Sequence, residues 1–332
     1  MEKFTYRKGF LLGKFMPLHN GHLYLIEKAL EKAELLTVLV CTTRREPING
    51  ELRYHWMREC MSNRPRVKVI HVTDEVPSYP HEHPDFAAIW TALLKRYIDA
   101  ATEVVFTSEE YGNDIASWLS IAHCCVDPER NHVPVSATEV RNNPVKFWEF
   151  IPPPVRPHYV QKIVLTGPES TGKTSLCEEL AAHFHTVWVR EYGREYFLEK
   201  NGKLDAGDFF HIAQKQIELE NEAALRANKI LICDTDPMVT AVWSEIYLRE
   251  IPEKLLQTSI EQQYSLHLLM DIDIPWVNDG TREFPALRQW HFNRLEQELI
   301  HRQRKFERIG GSGSERTQNA IAAIEKHLGI KS

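Results

Sequence analysis

The chain has 332 residues, 43% of them hydrophobic, which is enough for two domains, each with its own core. A formal net charge of −6 excludes a broadly basic nucleic-acid-binding surface, yet leaves room for the few local cations and backbone amides that hold one phosphorylated ligand. The N-terminus has no apolar signal segment, no apolar run approaches the ~20 residues of a membrane span, and Cys41, Cys60, Cys124, Cys125, Cys177 and Cys233 show no C-x-x-C spacing. The chain therefore reads as cytoplasmic, with buried, reduced thiols and no structural zinc.

In chain order, Lys8–Leu12 reads as a strand, followed by a loop and a helix from Gly21 to Ala33. Leu35–Cys41 and Val67–Val72 read as strands, Leu52–Met61 and Phe86–Ala100 as helices, and Glu103–Thr107 and His123–Val126 as further strands. Short apolar runs alternating with amphipathic helices predict an α/β doubly wound parallel sheet. The run Ile151-Pro152-Pro153-Pro154-Val155-Arg156-Pro157 cannot continue a helix or a central strand. It predicts a stiff linker and a boundary that leaves domains at 1–157 and 158–332. Gln161–Thr166 then reads as a strand, Lys173–Phe184 as a helix, Val187–Val189 and Ile230–Asp234 as strands, and Phe306–Ile309 as the last strand before the flexible Gly310–Ser314. The second half is thus expected to be another parallel α/β domain.

Two strand–loop–helix segments carry the chemistry. The first is Gly13-Lys14-Phe15-Met16-Pro17-Leu18-His19-Asn20-Gly21-His22. It sets two histidines at a helix N-terminus, where exposed N–H groups and a partial positive charge favour phosphate. Gly21 allows close backbone approach. His19, His22 and Lys14 can neutralise charge building on a triphosphate attacked at its α-phosphorus. This G-x-F-x-P-x-H-x-G-H pattern resembles the signature of the nucleotidylyltransferase superfamily. Val135-Ser136-Ala137-Thr138-Glu139-Val140-Arg141 resembles its I-S-x-T-x-x-R motif, with Val135 in place of Ile. That resemblance implies a Rossmann-like domain. It puts Gly13, Phe15, Gly21, Ser136 and Thr138 around ATP, and Arg141 on the β- and γ-phosphates.

The second segment, Gly167-Pro168-Glu169-Ser170-Thr171-Gly172-Lys173-Thr174, matches G-x-x-x-x-G-K-[ST] between a strand and a helix, as a P-loop requires. Gly167, Glu169, Ser170, Thr171 and Gly172 are expected to cradle ATP phosphates. Lys173 would reach the β- and γ-phosphates, and Thr174 would hold Mg²⁺. Ile230–Asp234 reads as a Walker B strand, with Asp234 the Mg²⁺-linked carboxylate. Glu191, after the second strand, and Asp236 compete as the base for an acceptor hydroxyl. Tyr192 could stack on a flat base, Arg282 could enter from a lid at Asp279–Arg282, and Arg316 could lie near ATP.

Together these segments resemble the NadR-type bifunctional family, in which a nicotinamide mononucleotide (NMN) adenylyltransferase precedes a ribosylnicotinamide kinase. Ile70–Tyr79, Phe147–Pro152, Glu191–Glu195 and Trp276–Arg282 fit the same resemblance. It implies phosphorylation of nicotinamide riboside to NMN, then adenylylation of NMN to NAD and pyrophosphate, with ATP as co-substrate and Mg²⁺ as cofactor. The expected partners are small molecules, not nucleic acid or membrane, and homo-oligomerisation is left open. Trp90 is the residue expected to stack on nicotinamide. Some family members begin with a helix-turn-helix domain, whereas this sequence begins almost directly with a strand, so operator binding is not expected. Ala213–Glu222 lacks the aromatic expected near the kinase pocket. A different acceptor pair and a nucleotide-sensing regulator are the competing readings.

Overall fold

The computed structural model describes residues 4–277 and 285–330 and divides into two compact units, Met1–Arg156 and Pro157–Ser332. In the first unit, β1 (Tyr6–Gly13), α1 (Asn20–Lys32), β2 (Ala33–Cys41), α2 (Gly50–Cys60), β3 (Val67–Val72), α3 (Phe86–Tyr97), β4 (Val104–Thr107), α4 (Gly112–Leu119), β5 (Ala122–Cys125) and α5 (Ala137–Asn142) follow one another. The sheet order is β3-β2-β1-β4-β5, with every pairing parallel. Phe10, Leu39 and Val105 leave one sheet face to meet Leu93 and Leu94 of α3 and Ile115 of α4 in one core. Successive β1 residues point to opposite faces, so Phe10 and Leu11 are both fully buried between helical layers.

The strand order reverses at β1, whose neighbours are β2 and β4. Such a switch point leaves a crevice beyond the strand C-termini, and the loop from Gly13 to α1 starts there. The first helix ends at Lys32 rather than Ala33. Ala33 is extended (φ −113°, ψ 137°) and pairs with Tyr6 as the first residue of β2.

In the second unit the elements are β6 (Gln161–Thr166), α6 (Lys173–His183), β7 (Trp188–Val189), α7 (Tyr192–Glu199), α8 (Ala206–Ala224), β8 (Ile230–Asp234), α9 (Pro237–Leu248), α10 (Glu253–Glu261), β9 (Leu266–Met270), α11 (Arg288–His301), β10 (Phe306–Ile309) and α12 (Ser314–Leu328). Their parallel sheet runs β10-β9-β6-β8-β7. Ile163 and Leu165 pack with Leu176 and Leu180 of α6 and with Ala320 and Ile324 of α12. Val164, between them in sequence, packs with Leu231, Ala223 and Ala224 on the other face. Alternation along β6 thus seats a helix layer on each side of the sheet. Among the described residues no helix is long and apolar enough to cross a membrane. All six cysteines are free, but only Cys177 and Cys233 are buried and Cys125 is exposed.

Candidate active sites

His19 N-caps α1, and its Nδ1 accepts the Gly21 N–H at 3.1 Å. His22 Nδ1 accepts the His19 N–H at 3.2 Å. The rings stack with centroids 3.7 Å apart. A Cβ on residue 21 would lie 2.9 Å from the His19 ring, so the motif needs glycine there for packing as well as for ligand approach. Burial, followed by the Arg130 charge, lowers His19 to about 4. Burial, His19 and Arg130 hold His22 well below its ordinary value. Both imidazoles are therefore neutral near pH 7. Because each Nδ1 is an acceptor, each proton sits on Nε2. The site offers two fixed Nε2–H donors instead of two cations.

His19, Gly21, His22, Ser136 and Thr138 line one cavity of about 230 Å³ with Tyr24, Ser108, Asp127 and Arg130. Ser136 N-caps α5 through a capping box with Glu139, which fixes this wall. Other expected contacts lie elsewhere. The Phe15 side chain is buried at 3% exposure, edge-on to His22 at 5.0 Å and against Gly13. Phe15 and Gly13 therefore shape the loop and do not face the cavity. Lys14 bonds Ser78 Oγ at 3.3 Å and pairs with Glu46 at 3.0 Å, outside the cavity lining. Arg141 donates to Met16 O and, at 2.9 Å, to Thr138 Oγ1. It ties the motif loop to α5, and the arginine that lines the cavity is Arg130. Trp90, expected to stack on nicotinamide, donates its Nε1–H to Pro77 O at 2.9 Å, rests its half-buried ring against the core and lies outside this cavity's lining.

In the second unit a cavity of about 360 Å³ is lined by Glu169, Ser170, Thr171, Gly172, Lys173, Thr174 and Glu191 at one end. Ser175, Gly193, Arg194, Phe197, Leu204, Phe209, Ile212, Val239, Thr240, Trp243 and Tyr247 form the rest of its wall. Ser170 and Gly172 have φ of 61° and 78°, the left-handed conformations that turn P-loop amides inward. Lys173 Nζ donates to Gly167 O and Pro168 O at 2.9 Å. A Cβ at Gly167 would lie 3.0 Å from Met270 Cβ, so Gly167 is held small by β9 packing and lies outside the lining.

Thr174 Oγ1 donates to Asp234 Oδ2 at 2.6 Å, while Asp234 Oδ1 is buried without a hydrogen-bond partner. Hydroxyl, carboxylate and an unused buried oxygen are hard donors that fit Mg²⁺. No group of three or more His, Cys, Asp and Glu among the described residues forms a metal cage. Burial, with help from the Asp234 charge and against the pull of Lys173, raises Glu191 to about 7. A carboxylate poised near neutrality at the phosphate end suits general-base work.

Asp236 is corrected from its rival role. It N-caps α9, accepting the Val239 N–H at 2.8 Å, and its other oxygen accepts from His267 Nε2 at 3.0 Å. It is 1% exposed and does not line the cavity. Tyr192, expected to stack on a flat base, does not line this cavity either. Its N–H donates to Gln216 Oε1 at 3.0 Å and its ring lies beside Tyr196 and His211. The aromatic rings in the cavity are Phe197, Phe209, Trp243 and Tyr247. Arg316 is buried and donates to Thr171 O at 2.9 Å, to Gly311 O at 2.7 Å and to Asp273. It braces the P-loop and lies outside the cavity lining. Arg282 lies outside the described residues.

A cytidylyltransferase-like family model matches residues 10–143 and an AAA-domain model residues 162–316. The chain is 29% identical to the trifunctional NAD biosynthesis/regulator protein NadR of Escherichia coli (strain K12) over 82% of this chain and 71% of that protein. The NadR of Salmonella typhimurium matches with the same identity and coverage. A crystal structure of NadR protein in complex with NR superposes with a TM-score of 0.78 at 22% identity, covering 100% of this chain and 99% of the other. One in complex with NAD and AMP-PNP gives 0.79 at 21%, covering 99% of both. With a nucleotidylyltransferase-like domain preceding a P-loop domain, and with this sequence similarity across most of its length, the chain is a homologue of the NadR proteins.

Proposed function

We infer that the chain is a bifunctional enzyme of NAD biosynthesis. Its second unit phosphorylates nicotinamide riboside with ATP, and its first unit transfers AMP from a second ATP to the resulting NMN, releasing pyrophosphate. The observation that carries this reading is the form of the second cavity. P-loop residues, Glu191 and Arg194 share its lining with the rings of Phe197, Phe209, Trp243 and Tyr247. Nicotinamide riboside is a pyridinium cation with a primary hydroxyl. Aromatic faces attract a flat cation, and the hydroxyl needs a base within reach of the γ-phosphate. The homologues' role in NAD biosynthesis agrees with that chemistry.

In the kinase step Glu191 takes the hydroxyl proton as the oxygen attacks the γ-phosphorus. Lys173, released from its own loop carbonyls, neutralises the β- and γ-phosphates. Thr174 and Asp234 would hold Mg²⁺, whose contribution is to neutralise phosphate charge. In the adenylyl step the NMN phosphate is already a nucleophile. The enzyme aligns it with the α-phosphorus, and the Nε2–H groups of His19 and His22, with Arg130, stabilise charge on the triphosphate.

Purified protein given ATP, Mg²⁺ and nicotinamide riboside, with a parallel reaction started from NMN, tests both steps by chromatography. NAD is expected from both starts. NAD from NMN alone would reject the kinase substrate, and NMN accumulating without NAD would reject the first-unit assignment.

A further inference from the structure

Arg53 belongs to no phosphate motif, yet its side chain is completely buried. It sits in the first turn of α2, which Asn49 caps. One arm of its guanidinium donates to the main-chain oxygen of Lys14 at 2.6 Å, and the other to Glu46 Oε2 at 2.5 Å. The same Glu46 oxygen accepts the Thr43 N–H at 2.9 Å, and Glu46 Oε1 lies 3.0 Å from Lys14 Nζ. Burial pushes the Glu46 carboxyl up. The Thr43 N–H, Lys14 and Arg53 outweigh it and keep the group below its ordinary value, hence ionised.

The three residues form a charge triad with two cations and one anion. Arg53 and Glu46 side chains are 0% and 7% exposed, whereas Lys14 is 43% exposed. A Lys14–Glu46 pair alone would be neutral, and Glu46 would compete with a phosphate for the ammonium. The second cation, locked inside, satisfies Glu46 and leaves one surplus positive charge, which the triad can display only at Lys14. The fork geometry contributes as well, because a guanidinium's rigid, planar donors span a carboxylate and a main-chain oxygen on two different segments. Its grip on Lys14 O fixes the start of the loop that leads to His19.

We propose that Arg53 is a positioning residue for nucleotidyl transfer. It holds the Lys14 backbone in place and, by sharing Glu46, keeps the net positive charge of the triad on the Lys14 ammonium for a substrate phosphate. This rests on the reading of the first unit as a nucleotidylyltransferase.

The test is kcat/KM for ATP plus NMN in the full chain for Arg53→Met, Arg53→Lys, Glu46→Gln and the Arg53→Met/Glu46→Gln double variant. Phosphorylation of nicotinamide riboside and the melting curve are followed in each. Arg53→Met makes the triad neutral and is expected to lower kcat/KM at least about tenfold. Glu46→Gln leaves Lys14 charged and is expected to stay within about threefold of wild type. The double variant restores one net positive charge but not the grip on Lys14 O, and should recover part of the Arg53→Met loss, as should Arg53→Lys. A purely structural role predicts a double variant no better than Arg53→Met, and that result would overturn the proposal. If Arg53→Met does not fold, a tenfold loss in Glu46→Gln overturns it instead. A wild-type chain that makes no NAD from NMN overturns the underlying reading, a result distinct from four equally active variants, which overturns the role of Arg53 alone.

Discussion

His19 and His22 each have a backbone N–H on Nδ1, so each can present only an Nε2–H to a ligand, and only while neutral. Burial first, and then the Arg130 charge, takes His19 to about 4, below its ordinary 6.5. A folded-state value below the unfolded one means that the unfolded chain binds more protons between these two values. The stability His19 contributes is therefore complete above pH 6.5 and is lost as pH falls towards 4. The melting temperature of the first unit should fall from pH 7 to pH 4.5. His19→Asn, which keeps an N-cap residue, should flatten that dependence in thermal melts. Removing the Nε2–H donor with His22→Ala should lower kcat/KM for adenylyl transfer by about 10²–10³-fold. Glu191 shifts the opposite way, up to about 7 through burial and Asp234, and the base works deprotonated. Kinase kcat/KM should rise with pH up to about 7 and level off above it. Glu191→Gln should abolish that limb and cost about 10²–10⁴-fold. A variant that keeps the pH limb would assign the base elsewhere.

The helix α9 brings Val239, Thr240, Trp243 and Tyr247 into the kinase cavity, and its start is fixed by Asp236. Asp236→Ala removes the bond to the Val239 N–H, worth about 1 kcal/mol. It also leaves buried His267 Nε2 without its acceptor, worth about 1–3 kcal/mol more. The second unit's transition should fall by about 5–10 °C. Because α9 carries the cavity wall, the KM for nicotinamide riboside should rise more than kcat falls. Asp236→Asn, which still caps, should melt closer to wild type. The strands at Val67–Val72, Gln161–Thr166 and Phe306–Ile309 are legible because short apolar runs bounded by turns admit few alternatives, and β-strands occupy those spans. The helices α8 to α10 and strand β9 have no local signature, α7 shows only in its first residues, and α11 is expected only as a helix after Arg282. So Trp243 and Tyr247, about 50 residues after Glu191 in sequence, could not be assigned to its cavity. Tyr192 has the ring chemistry and follows the second strand, and Trp90 has it on the amphipathic stretch Phe86–Ala100. Direction decides their roles, and direction is set by partners such as His211 and Pro77 that no local pattern discloses. Arg53 and Arg130 went unnoticed for the same reason: one is buried by tertiary contacts, and the other is raised by a turn in which Asp127 accepts the Asn131 and His132 N–H groups.

Each unit has a five-stranded parallel sheet, apolar clusters that draw on its own elements, and its own phosphate-binding loop. The first unit takes in the proline run through Arg156, where Ile151 and Val155 are fully buried, and the second begins at Pro157. Units of this size can bury enough surface to fold alone. Polypeptides 1–156 and 157–330, expressed separately, should each show a cooperative melt. The first should make NAD from NMN and the second NMN from nicotinamide riboside. In the full chain, Lys173→Ala should remove the nicotinamide riboside reaction, because Lys173 neutralises the transferred phosphate, and leave NAD formation from NMN within about twofold. An ATP analogue that binds a folded site raises the melting temperature of the unit that holds it. In Lys173→Ala the analogue should therefore still stabilise the first transition and lose its effect on the second. Loss of NMN adenylylation in that variant would mean that the first unit depends on the second, and the two sites would have to be treated as one machine.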